Sequence, residues 1–498
     1  MRSTIASATR RGVALATLAA IAGCARSSAA PDAAPAPTPE SAAAAAAAFP
    51  TTPPTLVAPA PLPAPTVVER RLANGLRVLV VRQAELPLVD VVLAVRTGAE
   101  SDPADRAGLA TLTANLLDEG TRSRSALQIA EQAALLGASL STNAGWDATT
   151  ISLHGTTAAL DSALALMADV ALAPSFPTAD LERLRAERLT SLVQLRDRGP
   201  AIADRIFNEV VFGPRHPYGR AAIGTEATTR AITQGDIQRF FGQHYRPNNA
   251  VLIAVGDIEP DDFVRRAERL FGTWAAGTVP PAPFDVRPPA TTTQIYVVDK
   301  PGAPQSSVRI GSVGVARATA DFFPLTVMNT LLGGSFTSRL NQNLRETRGY
   351  TYGARSSFSM RREPGPFLAS AEVTGTKTDS SVIEFMKELN AIRDTVPTAE
   401  LEKAKQYLEL QLPSAFETTG GIASQLLTVA LYDLPLDYFA SYSRRIRAVT
   451  QADVHRVARQ YVRPEALAIV IVGDRASIEP ALRRAGIAAV SVRTLDPQ

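Results

Sequence analysis

The chain has 498 residues, of which 46% are hydrophobic, so it can bury sizeable cores and is not globally disordered. Its 51 basic and 48 acidic residues give a net charge of only +3, and the arginines are scattered without a basic stripe, so the sequence does not support a nucleic-acid-binding surface. One cysteine excludes a disulfide framework, a cysteine-based zinc finger and an iron–sulfur cluster, and no two of the four histidines have metal-ligand spacing.

The first 24 residues are typical of an export signal. Three arginines (Arg2, Arg10 and Arg11) precede an apolar stretch over residues 12–23. This stretch is shorter than the ~20 residues needed to span a bilayer, but it has the length of a signal-peptide core. We therefore assign residues 1–24 to a signal peptide.

Residues 21–24, Ile-Ala-Gly-Cys, resemble the lipobox of bacterial lipoproteins. The resemblance implies that Cys24 becomes the first residue of the mature chain and carries the lipid, and the alternative is a lone buried cysteine. It also implies an exported lipoprotein on the periplasmic face of a bacterial membrane. Ala25, which stands where an aspartate would favour the inner membrane, favours the outer membrane by the same resemblance.

Residues 25–66 have the composition of a tether. They contain 11 of the 36 prolines and a run of seven alanines at 42–48, with almost no large apolar side chains. Such a segment cannot bury enough surface to offset the entropy lost on ordering, and its prolines favour extended conformations. We expect it to be disordered and to carry the folded part away from the membrane.

From Val67 onward the sequence changes to alternating and helical hydrophobic periods. In chain order, it predicts strands over 76–82 and 89–96, helices over 105–118 and 126–136, strands over 138–143 and 149–153, helices over 160–173 and 178–196, and a strand over 250–255. Hairpin-like strands mixed with helix pairs indicate an α+β fold with an antiparallel-rich sheet and helices on one face.

Short sequence blocks recur at a nearly constant spacing. Thr-Gln-x-Asp, Arg-Pro and Val-Gly-Asp, which start at positions 233, 246 and 255, each recur after 217 residues. Pro-Thr-Ala-(Asp/Glu)-Leu recurs after 220 residues. The folded part is therefore a tandem duplication. We expect a first half at 67–277, a proline-rich linker at 278–293 and a second half at 294–485.

Four stretches resemble peptidase family M16, which includes pitrilysin, insulinase and the mitochondrial processing peptidase. They are the motifs Gly-Ala-Glu-Ser, Gly-Leu-Ala and Glu-Gly-Thr within 98–121, Gly-Pro-Arg-His-Pro-Tyr-Gly at 213–219, Leu-Leu-Gly-Gly-Ser-Phe-Thr-Ser-Arg-Leu at 331–340, and Leu-Arg-Glu-Thr-Arg-Gly-Tyr-Thr-Tyr at 344–352. They occur in the family's order, and with the repeat they cover about residues 67–485. The resemblance implies a tandem duplication of a LuxS/MPP-like metallohydrolase domain.

The zinc motif of the family is missing from this sequence. Active members carry H-x-x-E-H, in which two histidines bind Zn²⁺ and the glutamate activates the bound water. Counting back from Gly120, the corresponding positions are Thr111, Ala114 and Asn115. The third ligand of the family, a glutamate on a later helix, falls in segment 189–195, which has no carboxylate. The sequence therefore predicts that this chain binds no metal.

One pair of family residues is retained in the second half. In active members an arginine and a tyrosine seven residues later, from the C-terminal half or a partner subunit, bind the substrate carbonyl and stabilise the oxyanion. Arg345 and Tyr352 have this spacing and context, which implies that they act in trans on a partner's site. The alternative is that Arg345 caps or ion-pairs a helix end and Tyr352 packs on a strand.

The resemblance also implies substrate-binding positions in both halves. Gly333 and Gly334 correspond to the family's glycine-rich loop, and the alternative for them is a plain helix C-cap and turn. Ser139, Ser141 and Asn143 lie on the strand that takes an extended peptide by β-addition in the family. The family's Asn-Ala on this strand is replaced by Ser-Thr.

The main hypothesis is that the chain is the non-zinc-binding subunit of a bacterial heterodimeric M16 metallopeptidase. The implied partners are a zinc-bearing M16 subunit, a peptide substrate and a membrane reached through the N-terminal lipid, and no nucleic acid is expected. We expect no cofactor in this chain and Zn²⁺ in the partner, so proteolysis would require the partner. The alternative is a non-enzymatic peptide-binding or structural assembly lipoprotein derived from an M16 peptidase.

Overall fold

The computed structural model of the protein describes residues 65–284 and 290–494. The predicted signal peptide at 1–24, the proposed lipid site Cys24 and nearly all of the predicted tether at 25–66 lie outside these ranges. Within them, no helix combines the length and the apolar composition required to cross a membrane.

The first half contains six strands and the helices between them. The strands are β1 (Val68–Arg71), β2 (Arg77–Arg82), β3 (Leu88–Val95), β4 (Ser139–Ala144), β5 (Thr149–Thr156) and β6 (Ala250–Gly256). The helices are α1 (Leu109–Asn115), α2 (Ala126–Leu135), α3 (Leu160–Leu172), α4 (Thr178–Arg196), α5 (Gly199–Phe212), α6 (Glu226–Ala231), α7 (Gln234–His244) and α8 (Pro260–Phe271).

The second half repeats this arrangement. Its strands are β7 (Gln294–Asp299), β8 (Gln305–Val313), β9 (Thr351–Phe358), β10 (Pro366–Thr374), β11 (Ala468–Gly473) and β12 (Ala489–Arg493). Its helices are α9 (Phe322–Asn329), α10 (Arg339–Asn341), α11 (Thr378–Ala391), α12 (Thr398–Gln411), α13 (Thr419–Leu431), α14 (Tyr442–Ala448), α15 (Gln451–Tyr461) and α16 (Arg475–Ala485). Two π-helical segments, Thr330–Gly334 and Gln342–Thr347, follow α9 and α10.

The two sheets have similar strand order and connectivity. The first has the order β1-β2-β6-β3-β5-β4 and the second β12-β7-β11-β8-β10-β9. In each, the strand from the end of the half (β6 or β11) inserts between two strands from its start, parallel to one and antiparallel to the other. The hairpin strand β4 or β9 forms the outer edge next to β5 or β10. The predicted α+β tandem duplication is therefore confirmed.

The repeated Thr-Gln-x-Asp blocks cap the N-termini of two equivalent helices. Thr233 and Thr450 are the N-cap residues of α7 and α15, and each hydroxyl accepts a hydrogen bond from the backbone N–H of the aspartate three residues later. Asp236 and Asp453 in turn accept from the threonine backbone N–H groups at 2.9 Å. This reciprocal capping satisfies amide groups that a helix start leaves unpaired. The duplication is thus most visible in sequence where a helix begins.

Helix α1 is shorter than the predicted helix over 105–118. Gly108 has a φ of 94°, a left-handed conformation that interrupts the helical path before Leu109. The carboxylate of Asp102 accepts hydrogen bonds from the backbone N–H groups of Gly108 at 2.7 Å and Ala110 at 2.8 Å. It therefore serves as the cap from outside the helix, which the Leu periodicity alone does not indicate.

Each sheet is covered on one face by helices of its own half and on the other by a helix of the opposite half. From the first half, α5 packs Ile202, Ile206 and Phe207 against β7 and β11 of the second sheet. From the second half, α13 packs Ile422 and Leu426 against β2, β3 and β6 of the first sheet. These crossing helices explain why β6 and β11 are buried along their whole length, since both faces are covered.

Candidate functional site

Arg345 and Tyr352 lie on adjoining elements at the outer edge of the second sheet. Arg345 belongs to the π-helical segment Gln342–Thr347, and Tyr352 is the second residue of the edge strand β9. The β9–β10 register shifts between Ala371 and Val373, so that Tyr352 and its neighbour in β9 face a single residue, Glu372, in β10. Such a bulge bends the strand and redirects its side chains.

Neither side chain is held in a core. Tyr352 is 90% exposed, so the alternative that it packs on a strand does not describe its environment. The Arg345 guanidinium lies 4.6 Å from the centre of the Phe336 ring, and its Nε is 3.3 Å from the Glu346 carboxylate. Phe336 is itself exposed. Arginine, phenol and phenyl ring therefore form an open surface with hydrogen-bond donors that a ligand can reach.

A cavity of about 620 Å³ joins these residues to the glycine-rich segment. Its lining includes Gly333, Gly334, Phe336, Arg345, Tyr352 and Tyr407. The structure thus brings four of the predicted site residues to one place. A volume of this size lies within the range of small-molecule and peptide side-chain pockets.

The two glycines also have a packing function. A Cβ atom on Gly333 would lie less than 3.0 Å from the backbone nitrogen and the hydroxyl of Ser356 on β9. A Cβ on Gly334 would meet the Asn329 side-chain nitrogen at a similarly short distance. Both glycines have a negative φ, so a left-handed backbone conformation is not the reason for glycine at either position. These glycines therefore permit the π-helical segment Thr330–Gly334 to approach the edge strand closely.

Two asparagines that were not predicted as site residues lie along the edge of β9. The Asn341 Oδ1 accepts a hydrogen bond from the Ala354 N–H at 3.2 Å. The Asn329 Nδ2 donates to the Ser356 carbonyl at 3.1 Å. Groups that would otherwise pair with an added strand are occupied at these positions. A peptide at this site would therefore contact side chains of the cavity, because the Ala354 N–H and the Ser356 carbonyl in the middle of β9 already have partners.

Ser139, Ser141 and Asn143 lie in the equivalent edge strand of the first half, β4. Their side chains are exposed, whereas the alternating residues Leu140 and Thr142 are partly buried. β4 is paired with β5 alone and lies at the end of its sheet. The three residues do not line the cavity that contains Tyr352. The structure therefore keeps the two groups of predicted substrate-binding residues apart.

The positions of the missing zinc motif are suited to packing. The Thr111 hydroxyl donates to the carbonyl groups of Gly108 at 3.0 Å and Ala222 at 3.2 Å, and Ala114 is fully buried. Asn115 is exposed at the end of α1. Over residues 65–284 and 290–494, no cluster of three or more His, Cys, Asp or Glu side chains could hold a metal ion. A hydroxyl, a methyl and an amide do not supply the ligands that Zn²⁺ requires.

The loop between β9 and β10 of the second half contacts residues of the first half. Asp147 accepts hydrogen bonds from the Arg362 backbone N–H at 2.9 Å, the Tyr218 hydroxyl at 3.1 Å and the Tyr432 hydroxyl at 3.0 Å. Arg361 lies over the rings of Trp146 and Tyr218, at 4.4 and 4.3 Å from their centres. Contacts from both halves therefore meet at one buried carboxylate.

A second buried carboxylate lies beside this anchor. Glu100 is 1% exposed, and its Oε2 accepts from the Gly98 N–H at 2.9 Å. Burial raises the pKa of Glu100 to about 8, although the Arg362 guanidinium, 3.8 Å away, opposes the shift. The carboxyl group is therefore largely protonated near neutral pH. Glu100 belongs to the Gly-Ala-Glu-Ser motif noted in the sequence, but its contact with Arg362 is distant along the chain. The sequence did not indicate the role of Asp147, because its three hydrogen-bond donors are also distant along the chain.

Two family models match the chain. The model described as Insulinase (Peptidase family M16) matches residues 77–201, and the one described as Peptidase M16 inactive domain matches residues 231–408. An uncharacterized zinc protease of Mycobacterium tuberculosis is 28% identical over 403 residues, which are 80% of this chain and 91% of that protein. A protein of Helicobacter pylori named as a non-peptidase homolog is 24% identical over 78% of this chain and 90% of its own length.

Solved structures agree with this assignment. The peptidase M16 inactive domain from Pseudomonas fluorescens superposes with a TM-score of 0.77 at 26% identity, over 82% of this chain and 98% of its own. These matches show that the chain belongs to peptidase family M16.

Proposed function

We propose that this chain supplies Arg345 and Tyr352 to the zinc site of a separate M16 subunit and so completes a heterodimeric peptidase. The observation that carries the proposal is their joint placement on one open cavity at a sheet edge, with Tyr352 90% exposed. A tyrosine held for packing would bury its ring, since the ring supplies most of its stabilising area. A partner seated at this edge would cover it.

The two side chains suit the stabilisation of a developing negative charge. The guanidinium and the phenol are hydrogen-bond donors, and both reach the same open space. In the pair, they would donate to the carbonyl oxygen of the peptide bond as it gains charge, while the metal and its activated water belong to the partner. Donors fixed before the reaction act with little reorganisation, and the neighbouring Phe336 ring and Glu346 carboxylate hold Arg345 in position.

The experiment combines this chain with its zinc-bearing partner and follows peptide cleavage. Tyr352→Phe and Arg345→Ala should each lower kcat by about 10²–10³, with a smaller change in KM, because the donors act mainly in the transition state. Tyr296→Phe on β7, four strands from β9, and Arg444→Ala on the exposed face of α14 are matched controls. The proposal is wrong if the wild-type pair assembles without activity or if both cavity variants retain full activity.

We also propose the export and anchoring that the N-terminal sequence implies: a lipid on Cys24 at the periplasmic face of the outer membrane. A single acyl chain binds membranes weakly, whereas several together anchor a protein stably. Cys24→Ser should move the protein from the membrane fraction to the soluble periplasmic fraction. Retention of the variant in membranes, measured in cells that lack the partner, would contradict the anchor.

A non-enzymatic role in peptide binding or assembly is the second candidate. It is favoured by the name of the Helicobacter pylori relative, a non-peptidase homolog, and by the packing function of Gly333 and Gly334. The same reconstitution separates the two candidates. Stable assembly with the partner, with no gain in cleavage by this chain, would support the second one.

A further inference from the structure

The charges around the cavity are unbalanced. Its charged lining residues are three arginines and one glutamate: Arg309, Arg345, Arg355 and Glu372. Arg309 is 4% exposed and is neutralised by Asp204 at 2.5 Å and by Glu372 at 2.9 Å. Glu372 also accepts from the Ser307 hydroxyl. The only acidic group of the lining is therefore already engaged by Arg309, and no acidic residue of the lining neutralises Arg345 or Arg355.

Arg355 is the least engaged of these arginines. It lies in β9 opposite Ser370, and its side chain is exposed at the cavity. Over the described residues, its guanidinium forms no ion pair, hydrogen bond or ring contact. By contrast, Arg345 has both the Phe336 ring and the Glu346 carboxylate as neighbours. An arginine left without a partner at the wall of a cavity is available to an anionic ligand.

The position of Arg355 relative to Tyr352 sets a length scale. The two residues are three apart in β9, and because the bulge lies between them their Cα atoms are separated by at most about 10 Å, the span at ~3.3 Å per residue. An extended peptide has the same rise. A group bound by Arg355 would therefore lie two or three residues along the peptide from the carbonyl that Tyr352 contacts.

We propose that Arg355 makes this cavity selective for peptides that present a carboxylate two or three residues from the bond to be cleaved. The inference rests on the proposed function and names its substrate class. A guanidinium binds a carboxylate through two parallel hydrogen bonds, which a lysine or an amide cannot reproduce. The carboxylate is either an acidic side chain or the peptide's own C-terminus, and the spacing suits both.

The test uses equilibrium binding to this chain alone, so that it does not depend on the partner. Labelled peptides of one sequence carry either Glu or Gln at each position in turn, all with an amidated C-terminus, and one all-Gln peptide has a free C-terminal carboxylate. Fluorescence anisotropy measures Kd at low and high salt. We expect one Glu position, or the free C-terminus, to bind about three- to tenfold more tightly than the uncharged peptide, with the difference lost at high salt.

The variants assign that preference to one residue. Arg355→Gln should abolish the difference between charged and uncharged peptides, and Arg355→Glu should reverse it in favour of a Lys-containing peptide. Arg444→Gln removes the same charge on α14, away from the cavity, and should leave the preference unchanged. Tighter binding of the Glu peptide assigns the carboxylate to a side chain, and tighter binding of the free-acid peptide assigns it to a C-terminus. Equal Kd values, no binding, or a preference that survives Arg355→Gln would overturn the inference.

Cleavage by the reconstituted pair distinguishes this inference from the proposed function. If the pair cleaves both peptides at equal kcat/KM, the carboxylate preference is wrong and the proposed function stands. If the pair is inactive although the Arg355-dependent binding preference is present, the proposed function is wrong and the cavity still binds carboxylates.

Discussion

Replacing Asp147 by alanine should strongly destabilise the contact between the two halves. The carboxylate is 5% exposed and accepts three hydrogen bonds, from the hydroxyl groups of Tyr218 and Tyr432 and from the backbone N–H of Arg362. Tyr432 and Arg362 belong to the second half, whereas Asp147 and Tyr218 belong to the first. The substitution therefore removes an acceptor shared by both halves.

The magnitude follows from the donors that lose their partner. Each buried donor left unpaired costs about 1–3 kcal/mol. Water that enters the space of the lost carboxylate will satisfy part of this demand, so the total is less than the sum of three full penalties. We expect a loss of about 3–5 kcal/mol in the free energy of unfolding, at the lower end of the sum of the three penalties.

Urea unfolding followed by circular dichroism measures this loss. Asp261→Ala is the matched control, because Asp261 forms an ion pair with Arg70 in which both side chains are more than half exposed, and such pairs contribute about 0–1 kcal/mol. Tyr432→Phe alone and combined with Asp147→Ala completes a double-mutant cycle, in which we expect clear non-additivity. A loss below 1 kcal/mol for Asp147→Ala, or strictly additive effects, would refute the reasoning.

Three further predictions concern the buried Glu100, the close packing of Gly333 and the missing zinc motif. Because the pKa of Glu100 is about 8 in the folded state against 4.5 in the unfolded state, the folded state retains a proton that the unfolded state releases, and the free energy of unfolding falls as pH rises from about 5 to 8. Glu100→Gln lacks this dependence, so its free energy of unfolding should rise relative to that of the wild type by at most about 1.4 kcal/mol per pH unit. Urea unfolding at several pH values measures the difference. Gly333→Ala should cost about 1–3 kcal/mol through its clash with Ser356, whereas Gly242→Ala, with open space around it in α7, should be neutral or stabilising; equal effects would contradict the packing role. Elemental analysis of the chelator-free chain should find no stoichiometric zinc, and one tightly bound zinc per chain would show that the ligand argument is wrong.

The features that the sequence predicted well depend on residues that are close together along the chain. The capping threonines and aspartates of α7 and α15 lie within four positions of each other, so their repetition could be recognised directly. Arg345 and Tyr352 are likewise close in sequence, and the structure places both at one cavity. The periodicity of strands is local as well, and it sufficed to indicate the mixed fold.

The features that sequence missed depend on contacts distant along the chain. An apolar helix face does not indicate which sheet it covers, so the crossing of α5 and α13 could not be anticipated. Asp102 caps α1 from outside the helix, which moved its start from the predicted position 105 to Leu109. Asn329 and Asn341 belong to no motif, and their pairing with β9 is visible only once the strand is an edge. Arg355 was not predicted as a site residue, because its proposed role depends on the absence of an acidic side chain near it in the fold.

The exchange of α5 and α13 restricts how this molecule can move. Drawing the halves apart would expose two apolar interfaces at once, the Ile202–Phe207 side of α5 and the Ile422–Leu426 side of α13, together with the sheet faces beneath them. Hydrophobic burial of that extent opposes any hinge between the halves. In the proposed pair, this chain therefore acts as one rigid wall, and the opening that admits a peptide must form along its boundary with the other subunit.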